Sequence, residues 1–190
     1  MDLLRIFLFV GLVLHKFLWE LLKKRSGVAQ KPQLSAGLLG RWFIKPIKLF
    51  VLLFIGFQTL FLDLFPIAED PSNLRLWGTL IYFVGLGTAV LGRVQLGDNW
   101  KDLEDYQVLE HQSLTTNGIY QYIRHPIYTG DILLLIGLEV ALNSWLVAFT
   151  AIPLVIIVRQ AIAEEVLLSR VFPNYQHYCK RTKRFIPFVA

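Results

Sequence analysis

The sequence predicts an all-α, polytopic integral membrane protein with about five transmembrane helices. Of the 190 residues, 55% are hydrophobic and only 17% are charged, whereas soluble domains are about one quarter charged. Apolar runs long enough to cross a bilayer recur along the chain, and basic residues collect beside them, as is typical of membrane proteins. We predict one membrane domain over residues 1–190, with three spans in residues 1–94 and a hairpin with a C-terminal helix in residues 95–190.

Three apolar runs predict the N-terminal spans. Leu3–Leu22, Pro46–Pro66 and Leu74–Val94 each hold about 20 residues, the length that a helix needs to cross the hydrocarbon core. His15 and Glu20 interrupt the first run near its end, so we expect them to face other helices or to reach the interface. The third run follows turn-forming residues that are suited to starting a helix.

Residues 95–125 form the longest polar stretch, and two shorter apolar runs follow it. Ile127–Leu142 and Trp145–Val158 are separated by Asn-Ser at residues 143–144, which predicts a helical hairpin with a tight turn. Helical spacing of the apolar residues continues past the second run to Phe172. The second arm is therefore expected to extend beyond the membrane as an amphipathic helix.

Orientation follows from the distribution of lysine and arginine. Residues 23–48 contain seven basic residues and residues 180–184 contain four, whereas the loop after the second span contains only Arg75. Five spans place both basic segments on the same side of the membrane. We therefore predict that the N-terminus lies outside, and that the polar stretch, the candidate site and the C-terminus face the cytoplasm.

The first candidate site lies at Arg124-His125-Pro126. Proline favours the first turn of a helix and disfavours helical geometry in the residue before it, so His125 is expected to cap a helix that begins at Pro126. The free N–H groups and the positive dipole end at such a start attract anions. Arg124 and Tyr128 add donors there. The alternative interpretation is an interfacial belt of polar and aromatic side chains.

The second candidate is the pair Glu164-Glu165, at the lower end of the last long helix. A carboxylate turned inward would accept hydrogen bonds from ribose hydroxyls or screen a cation, and the alternative is a solvated helix face. Because neighbouring helical residues point about 100° apart, we expect at most one of the two to face the site, and we assign that place to Glu164.

Two further segments are weaker candidates. Residues 110–118 mix donors and acceptors, so they either wrap a ligand or form a solvated loop. The basic, aromatic tail contains Tyr175, Tyr178, Arg181 and Arg184, which beside a membrane are better interpreted as interface anchors or a lid than as a nucleic-acid surface. We therefore expect membrane lipids as partners and no nucleic acid.

Several common kinds of site lack support in the sequence. The one cysteine, Cys179, permits no internal disulfide. The four histidines, at positions 15, 111, 125 and 177, do not have metal-ligand spacing, so no metal is expected, and no nucleophile elbow is present. Gly85-Leu86-Gly87 with Gly92 loosely imitates a dinucleotide fingerprint, but inside a membrane helix such small residues favour close helix packing.

Two strings of residues in the second half carry a family resemblance. The first is Gly118-x-Tyr120 followed by Arg124-His125-Pro126-x-Tyr128-x-Gly130; the second is Glu164-Glu165-x-x-Leu168-x-x-x-Phe172-x-x-Tyr175-x-x-Tyr178, followed by Arg184-x-x-Pro187. In order and spacing, on either side of the apolar hairpin, they resemble the isoprenylcysteine carboxyl methyltransferase family and its membrane-methyltransferase relatives. The chain resembles a short microbial-type member of that family.

The resemblance implies S-adenosyl-L-methionine as the cofactor and transfer of its methyl group to a lipophilic acceptor that enters from the bilayer. In the type reaction the acceptor is the carboxylate of a prenylated cysteine. Family roles would assign the following residues to the cofactor: Gln112, Ser113, Leu114 and Tyr120 around it, His125, Pro126 and Tyr128 at its amino-acid end, and Glu164 on a polar part.

Under the same resemblance, two arginines are candidates for catalytic roles. Arg124 lies beside the residues expected to hold the amino-acid end of the cofactor. In relatives, an arginine one turn before the acid pairs with the acceptor, but Gln160 occupies that place here and Arg159 is its neighbour. Arg159 is therefore the candidate for contact with the acceptor, and the identity of the acceptor stays open.

Two other interpretations remain at this point. Membrane sterol reductases, which use NADPH, share the string Arg-His-Pro-x-Tyr-x-Gly-Asp, and Asp131 completes that string here. Those enzymes normally carry many more spans, and five helices leave little room to enclose a sterol. A non-catalytic membrane adaptor is the third interpretation, which the concentration of polar residues in one half disfavours.

Overall fold

The structure is a computed structural model that describes residues 2–25, 38–99 and 113–189. Across these residues the fold is all-α, as predicted. The α-helices are α1 (Leu3–Arg25), α2 (Leu38–Phe61), α3 (Ser72–Leu96), α4 (Pro126–Ala141), α5 (Ala151–Val171) and α6 (Tyr175–Arg181), with single 3-10 segments at Gly97–Asn99, Gly118–Gln121 and Trp145–Thr150.

The helices follow the predicted spans. Among the described residues, α3 and the continuous helical segment Trp145–Val171 are long and apolar enough to cross a membrane, and Pro46–Phe61 of α2 is a shorter apolar helix. α4 has 16 residues, which is about 24 Å at 1.5 Å per residue. A turn after α4 reverses the chain, so that α5 returns toward the start of α4. The total number of spans stays a prediction.

The predicted second span runs past the end of its helix. α2 begins at Leu38 and ends at Phe61, whereas the predicted span ran from Pro46 to Pro66. Beyond the helix, backbone groups pair with the turn after α4 instead, as where the Trp145 N–H donates to the Phe65 carbonyl at 2.9 Å. Arg5 of α1 donates to carbonyls at the end of α2, which is the place where a helix dipole favours a cation.

Glycines bring α3 and α4 into backbone contact. A Cβ atom built on Gly85 would lie 2.3 Å from the backbone nitrogen of Leu134, and one on Gly137 would lie 2.2 Å from that of Tyr82. The same closeness recurs along the seam at Gly78 and Gly130. The interpretation of these small residues as packing positions is therefore confirmed at Gly85, whereas Gly87 faces open space.

A small core forms where α1 meets the α3–α4 pair. It contains Leu8, Tyr82, Leu134, Leu138, Ala141 and Leu142. The Tyr82 hydroxyl, which is fully buried, donates to the Leu8 carbonyl at 2.8 Å. This hydrogen bond fixes α1 against the pair.

Tyr82→Phe is expected to lower the stability of the protein by about 1 kcal/mol, because it removes one buried hydrogen bond and leaves the ring in place. Thermal unfolding of the purified protein in detergent, followed by circular dichroism, would measure the change. An unchanged unfolding midpoint would show that this bond does not hold α1.

Two pairs of polar side chains within the membrane helices meet across helices. His15 of α1 lies 3.2 Å from Asp131 of α4, measured from Nε2 to Oδ1, so the expectation that His15 faces another helix is confirmed. Asp131 is thus engaged with α1, near the start of α4. At the opposite end of the bundle, Gln58 of α2 donates to the buried Glu139 of α4 at 2.8 Å.

Candidate functional site

The start of α4 has the predicted cap. His125 occupies the N-cap position with φ −124° and ψ 57°, and Pro126 is the first helical residue. Both are buried. The Thr129 N–H donates to the His125 carbonyl at 3.0 Å, which closes the first turn of the helix. The N–H groups of Ile127 and Tyr128 precede that bond in the first turn, where helix geometry leaves them without intrahelical acceptors.

A C-terminal strap, defined as residues 182–185, runs beside this helix start. The Arg124 N–H donates to the Lys183 carbonyl at 2.8 Å, and the His125 N–H donates to the Arg184 carbonyl at 3.1 Å. The Lys183 N–H donates back to the Tyr122 carbonyl at 3.0 Å. The tail is therefore part of the site, since its backbone orients the capping histidine.

Glu165 of α5 is the centre of an ionic cluster with three basic groups. It accepts from Arg124 Nε at 2.9 Å and from Arg184 Nη2 at 2.7 Å, and its Oε1 lies 3.1 Å from His125 Nε2. The Glu165 and Arg124 side chains are only 13% and 11% exposed, so water screens this pair weakly. Hydrogen bonding to Glu165 raises the pKa of the Arg184 guanidinium, which keeps the tail cationic and attached.

Glu164 faces the same helix start from the other side. It accepts a hydrogen bond from the Tyr128 hydroxyl, its Oε2 lies 3.7 Å from His125 Nδ1, and Gln160 donates to it at 3.2 Å. Its side chain is 34% exposed. The two carboxylates therefore differ: Glu165 is enclosed by cations, and Glu164 keeps exposed surface for a ligand.

Both glutamates contact residues at the start of α4, although we expected at most one of them to face the site; that Glu164 is the one that meets a ligand stays a prediction. Side chains 100° apart on one helix point to different sides, but the start of α4 lies in the sector between them. Tyr128, the third residue of α4, reaches Glu164, and the residues before the helix reach Glu165. The His125 ring lies between both carboxylates and stacks on Tyr128 with ring centroids 5.5 Å apart.

Tyr120 links the site to α3. Its hydroxyl donates to the Gly92 carbonyl at 3.2 Å, and its own carbonyl accepts from the Tyr178 hydroxyl at 2.7 Å. Burial raises the pKa of Tyr120, and it raises the pKa of Tyr178 to about 12. Both phenols therefore stay neutral hydrogen-bond donors at physiological pH.

Sequence reasoning missed Arg93, a fully buried arginine on the last turn of α3. It donates to the Gly97 carbonyl at 2.9 Å. Its positive charge lowers the pKa of Tyr120, whereas the negative charge of Glu164 raises it. The signal was present, because a charged residue inside an otherwise apolar membrane run is by default a candidate for function.

The remaining predicted residues lie less centrally. Gln112 lies outside the described residues. Ser113 is exposed and its N–H donates to Asn99 at 3.0 Å, while Leu114 is half-buried. Arg159 is exposed on α5, and within the described part of the chain it has no hydrogen bond or ion pair. Among residues 2–25, 38–99 and 113–189, no three histidine, cysteine or acidic side chains group as metal ligands would.

Comparison with known proteins identifies the family. A sequence model of the phospholipid methyltransferase family matches residues 74–175, which is more than half of the chain. The chain therefore belongs to this family of membrane methyltransferases, whose members use S-adenosylmethionine. The assignment to membrane methyltransferases made from the sequence is confirmed, and membership disfavours both the reductase and the adaptor interpretation.

Individual relatives are distant. The chain is 26% identical to protein-S-isoprenylcysteine O-methyltransferase B of Arabidopsis thaliana over 167 residues, covering 85% of this chain and 81% of the relative. It is also 26% identical to protein-S-isoprenylcysteine O-methyltransferase A of the same plant over 129 residues, covering 66% of each chain.

A solved structure shares the fold. The eukaryotic intramembrane Ras methyltransferase ICMT (isoprenylcysteine carboxyl methyltransferase) is similar with a TM-score of 0.55 and 23% sequence identity. The match covers 79% of this chain and 53% of that one, so the present chain spans about half the length of the solved structure. The likeness supports the fold of an integral membrane protein.

Proposed function

We propose that this protein transfers the methyl group of S-adenosyl-L-methionine to a lipophilic acceptor, by carboxyl O-methylation of an isoprenylcysteine-type substrate. The observation that carries the proposal is the meeting of two helix ends: the start of α4 with His125 and Tyr128, and the lower end of α5 with Glu164. Family membership supports the reaction class, and the side chains at this junction support it as the site of the reaction.

The side chains at the junction fit the cofactor chemically. Its amino-acid end carries a carboxylate and an ammonium group, and its ribose carries two hydroxyls. The first turn of α4 offers N–H donors and a positive dipole end to a carboxylate. The partly exposed Glu164 offers acceptor oxygens to an ammonium group or to hydroxyls. Tyr120, Pro126 and the segment with Gln112, Ser113 and Leu114 would complete the enclosure.

When bound, S-adenosylmethionine supplies an electrophilic methyl group, and a carboxylate acceptor has no proton to lose. The protein residues therefore need to orient the two molecules and to exclude water rather than to act as a general base. In this proposal His125, Tyr128 and Glu164 contact the cofactor. Arg124 acts through Glu165 and the strap, so it is a positioning residue rather than a catalytic one.

Arg159 is proposed to meet the acceptor. It lies on the exposed face of α5 with Ile162 and Val166, which are 44% and 48% exposed. A cation beside exposed apolar side chains on one face of a helix suits a molecule with an apolar chain and an anionic carboxylate. Gln160 follows Arg159 in the sequence and donates to Glu164. It therefore connects the proposed acceptor residue with a proposed cofactor residue.

The proposed membrane arrangement has five spans and one domain over residues 1–190. α4 and α5 form the last hairpin, the N-terminus lies outside, and the cofactor pocket opens to the cytoplasm. A water-soluble cofactor then arrives from the cytosol and the acceptor from the bilayer. The clustering of the basic residues supports this orientation.

Isothermal titration calorimetry with S-adenosylhomocysteine on detergent-solubilised protein tests the cofactor site. We expect micromolar binding, weakened about tenfold or more by His125→Ala, because each charge-assisted hydrogen bond contributes about 1.5–3 kcal/mol. NADPH serves as the control ligand and should not bind. Binding of NADPH in place of S-adenosylhomocysteine would overturn the proposal.

The acceptor is tested with labelled methyl donor and a panel of lipophilic acceptors. A prenylated cysteine with a free carboxylate should be methylated, and its amide should not. Arg159→Gln should raise KM for the acceptor and leave the affinity for S-adenosylhomocysteine unchanged. Methylation of lipid amines or thiols with no transfer to the carboxylate would refute the assigned acceptor class while leaving the cofactor site intact.

A further inference from the structure

The C-terminal tail presents an exposed surface that mixes cations with apolar anchors. Phe188 and Val189 are 84% and 72% exposed, and Tyr122, whose ring contacts Phe188, is 49% exposed. The exposed basic side chains of Lys180, Arg181 and Lys183 lie in the same segment. We refer to these residues as the tail surface.

The charge of the tail surface has a single sign. Residues 173–189 contain no acidic residue, and neither do residues 113–130, which they contact. The nearby acid Glu165 is already engaged with Arg124 and Arg184. Among the described residues, the cations of the tail surface therefore have no acidic partner and can meet an external anion.

The depth of the tail surface follows from the short length of α4. Its 16 residues reach about 24 Å, which is less than the roughly 30 Å of a hydrocarbon core. If α4 crosses the membrane, its start lies at the edge of the hydrocarbon. Lys183 is bonded through its carbonyl to the N–H of Arg124, two residues before that start, so the tail surface lies at headgroup depth.

We infer that the tail surface binds anionic lipid headgroups of the cytoplasmic leaflet and thereby holds the strap against the start of α4. Exposed aromatic and aliphatic side chains at this depth enter the interface, and each basic side chain near an anionic membrane favours binding about fivefold. The inference rests on the proposed function and its membrane arrangement, and it adds a dependence of the site on lipid charge.

The coupling to the site is direct. The strap bonds the backbone of Arg124 and His125, Arg184 of the strap bonds Glu165, and the Phe185 ring lies 5.8 Å from that of His125. Lipid that immobilises Lys183 and Phe188 on the outer side of the strap therefore also fixes the histidine on its inner side. Cofactor affinity should rise with the anionic lipid content.

Hydrogen exchange of the full chain in nanodiscs tests the inference. Peptides covering residues 122–125 and 182–185 are compared between pure phosphatidylcholine and an equal mixture with phosphatidylglycerol. We expect exchange to slow by about fivefold or more in the anionic discs. The variant with Lys180→Gln, Arg181→Gln and Lys183→Gln should lose most of that difference. A matched control with Lys16→Gln, Lys23→Gln and Lys24→Gln removes the same charge from the C-terminal half of α1 and should keep the difference between the two lipids.

Equal exchange in both lipids, or equal slowing in the tail variant, would overturn the inference. An acidic protein as the true partner would give the first of these results. Calorimetry with S-adenosylhomocysteine in the same nanodiscs separates the two proposals. Lipid-dependent protection without ligand binding would reject the proposed function alone, whereas ligand binding that is independent of lipid would reject the lipid surface alone.

Discussion

Gly85→Ala is expected to disrupt the contact between α3 and α4. The added methyl group would lie 2.3 Å from the Leu134 nitrogen and 2.7 Å from the Gly130 carbonyl oxygen. Both atoms belong to the backbone of α4, so no side-chain rotation can relieve the overlap, and the two helices must separate. We expect a loss of stability at or above the upper end of the roughly 1–3 kcal/mol that is typical of overpacked cores.

Gly87→Ala is the matched control on the same helix. Nothing lies within 4 Å of a Cβ atom at Gly87, and alanine is preferred over glycine in a helix by about 1 kcal/mol. This variant should keep or slightly raise the unfolding midpoint. The pair is compared by thermal unfolding in the same detergent. Equal effects of the two substitutions would mean that the close helix contact does not exist in the folded protein.

Moving α3 and α4 apart would also change the geometry of the candidate site. Tyr120 hydrogen-bonds Gly92 on α3, and His125 and Tyr128 belong to the start of α4. A variant of Gly85 that still folds should therefore bind S-adenosylhomocysteine more weakly, although Gly85 lies far along the sequence from the proposed cofactor residues. The glycine seam thus sets the distance between the two walls of the proposed pocket.

Local sequence rules predicted the helices and the cap. Pro126 restricts both itself and His125, so the start of α4 can be placed without knowledge of the rest of the chain. The long apolar runs likewise define their helices because each satisfies its backbone hydrogen bonds internally. Such features depend on neighbouring residues, and they are the parts of the fold and site that agreed with the structure.

The roles of the charged groups were less accessible from sequence. Arg184 and Arg124 are separated from Glu165 by 19 and 41 positions, so no local pattern reveals that they surround the same carboxylate. The tail was expected to act as an anchor or a lid, and its backbone pairing with Arg124 depends on the path of the chain after α6. The contact of Glu165 with the start of α4 was missed for the same reason, because the angle between two side chains does not tell where a third element lies.

Glu165→Gln is expected to weaken the attachment of α5 and of the strap. Ala161 is the fully buried residue on α5, and most of that helix is exposed, so contacts at its lower end contribute much of what holds it in the described structure. The substitution leaves Arg124, which is 11% exposed, without its counter-charge. Removing one partner of a buried ion pair costs about 3–5 kcal/mol, and we expect the lower end of that range because Arg184 is 36% exposed.

Glu164→Gln is the control that separates stability from ligand binding. It makes the same carboxylate-to-amide change at the neighbouring residue, but Glu164 is partly exposed and contacts a phenol, an amide and His125. We expect a stability change below about 1 kcal/mol together with weaker binding of S-adenosylhomocysteine. Thermal unfolding and calorimetry on both variants give the two readouts.

A double variant gives the most specific test of the ionic cluster. Arg124→Gln combined with Glu165→Gln removes both charges of the buried pair, so the double variant should be less destabilised than the sum of the two single variants. A coupling of about 1 kcal/mol or more is expected for groups that share one hydrogen-bonded network. Strict additivity would mean that the two side chains do not interact in the folded protein, and that another contact holds α5 against the start of α4.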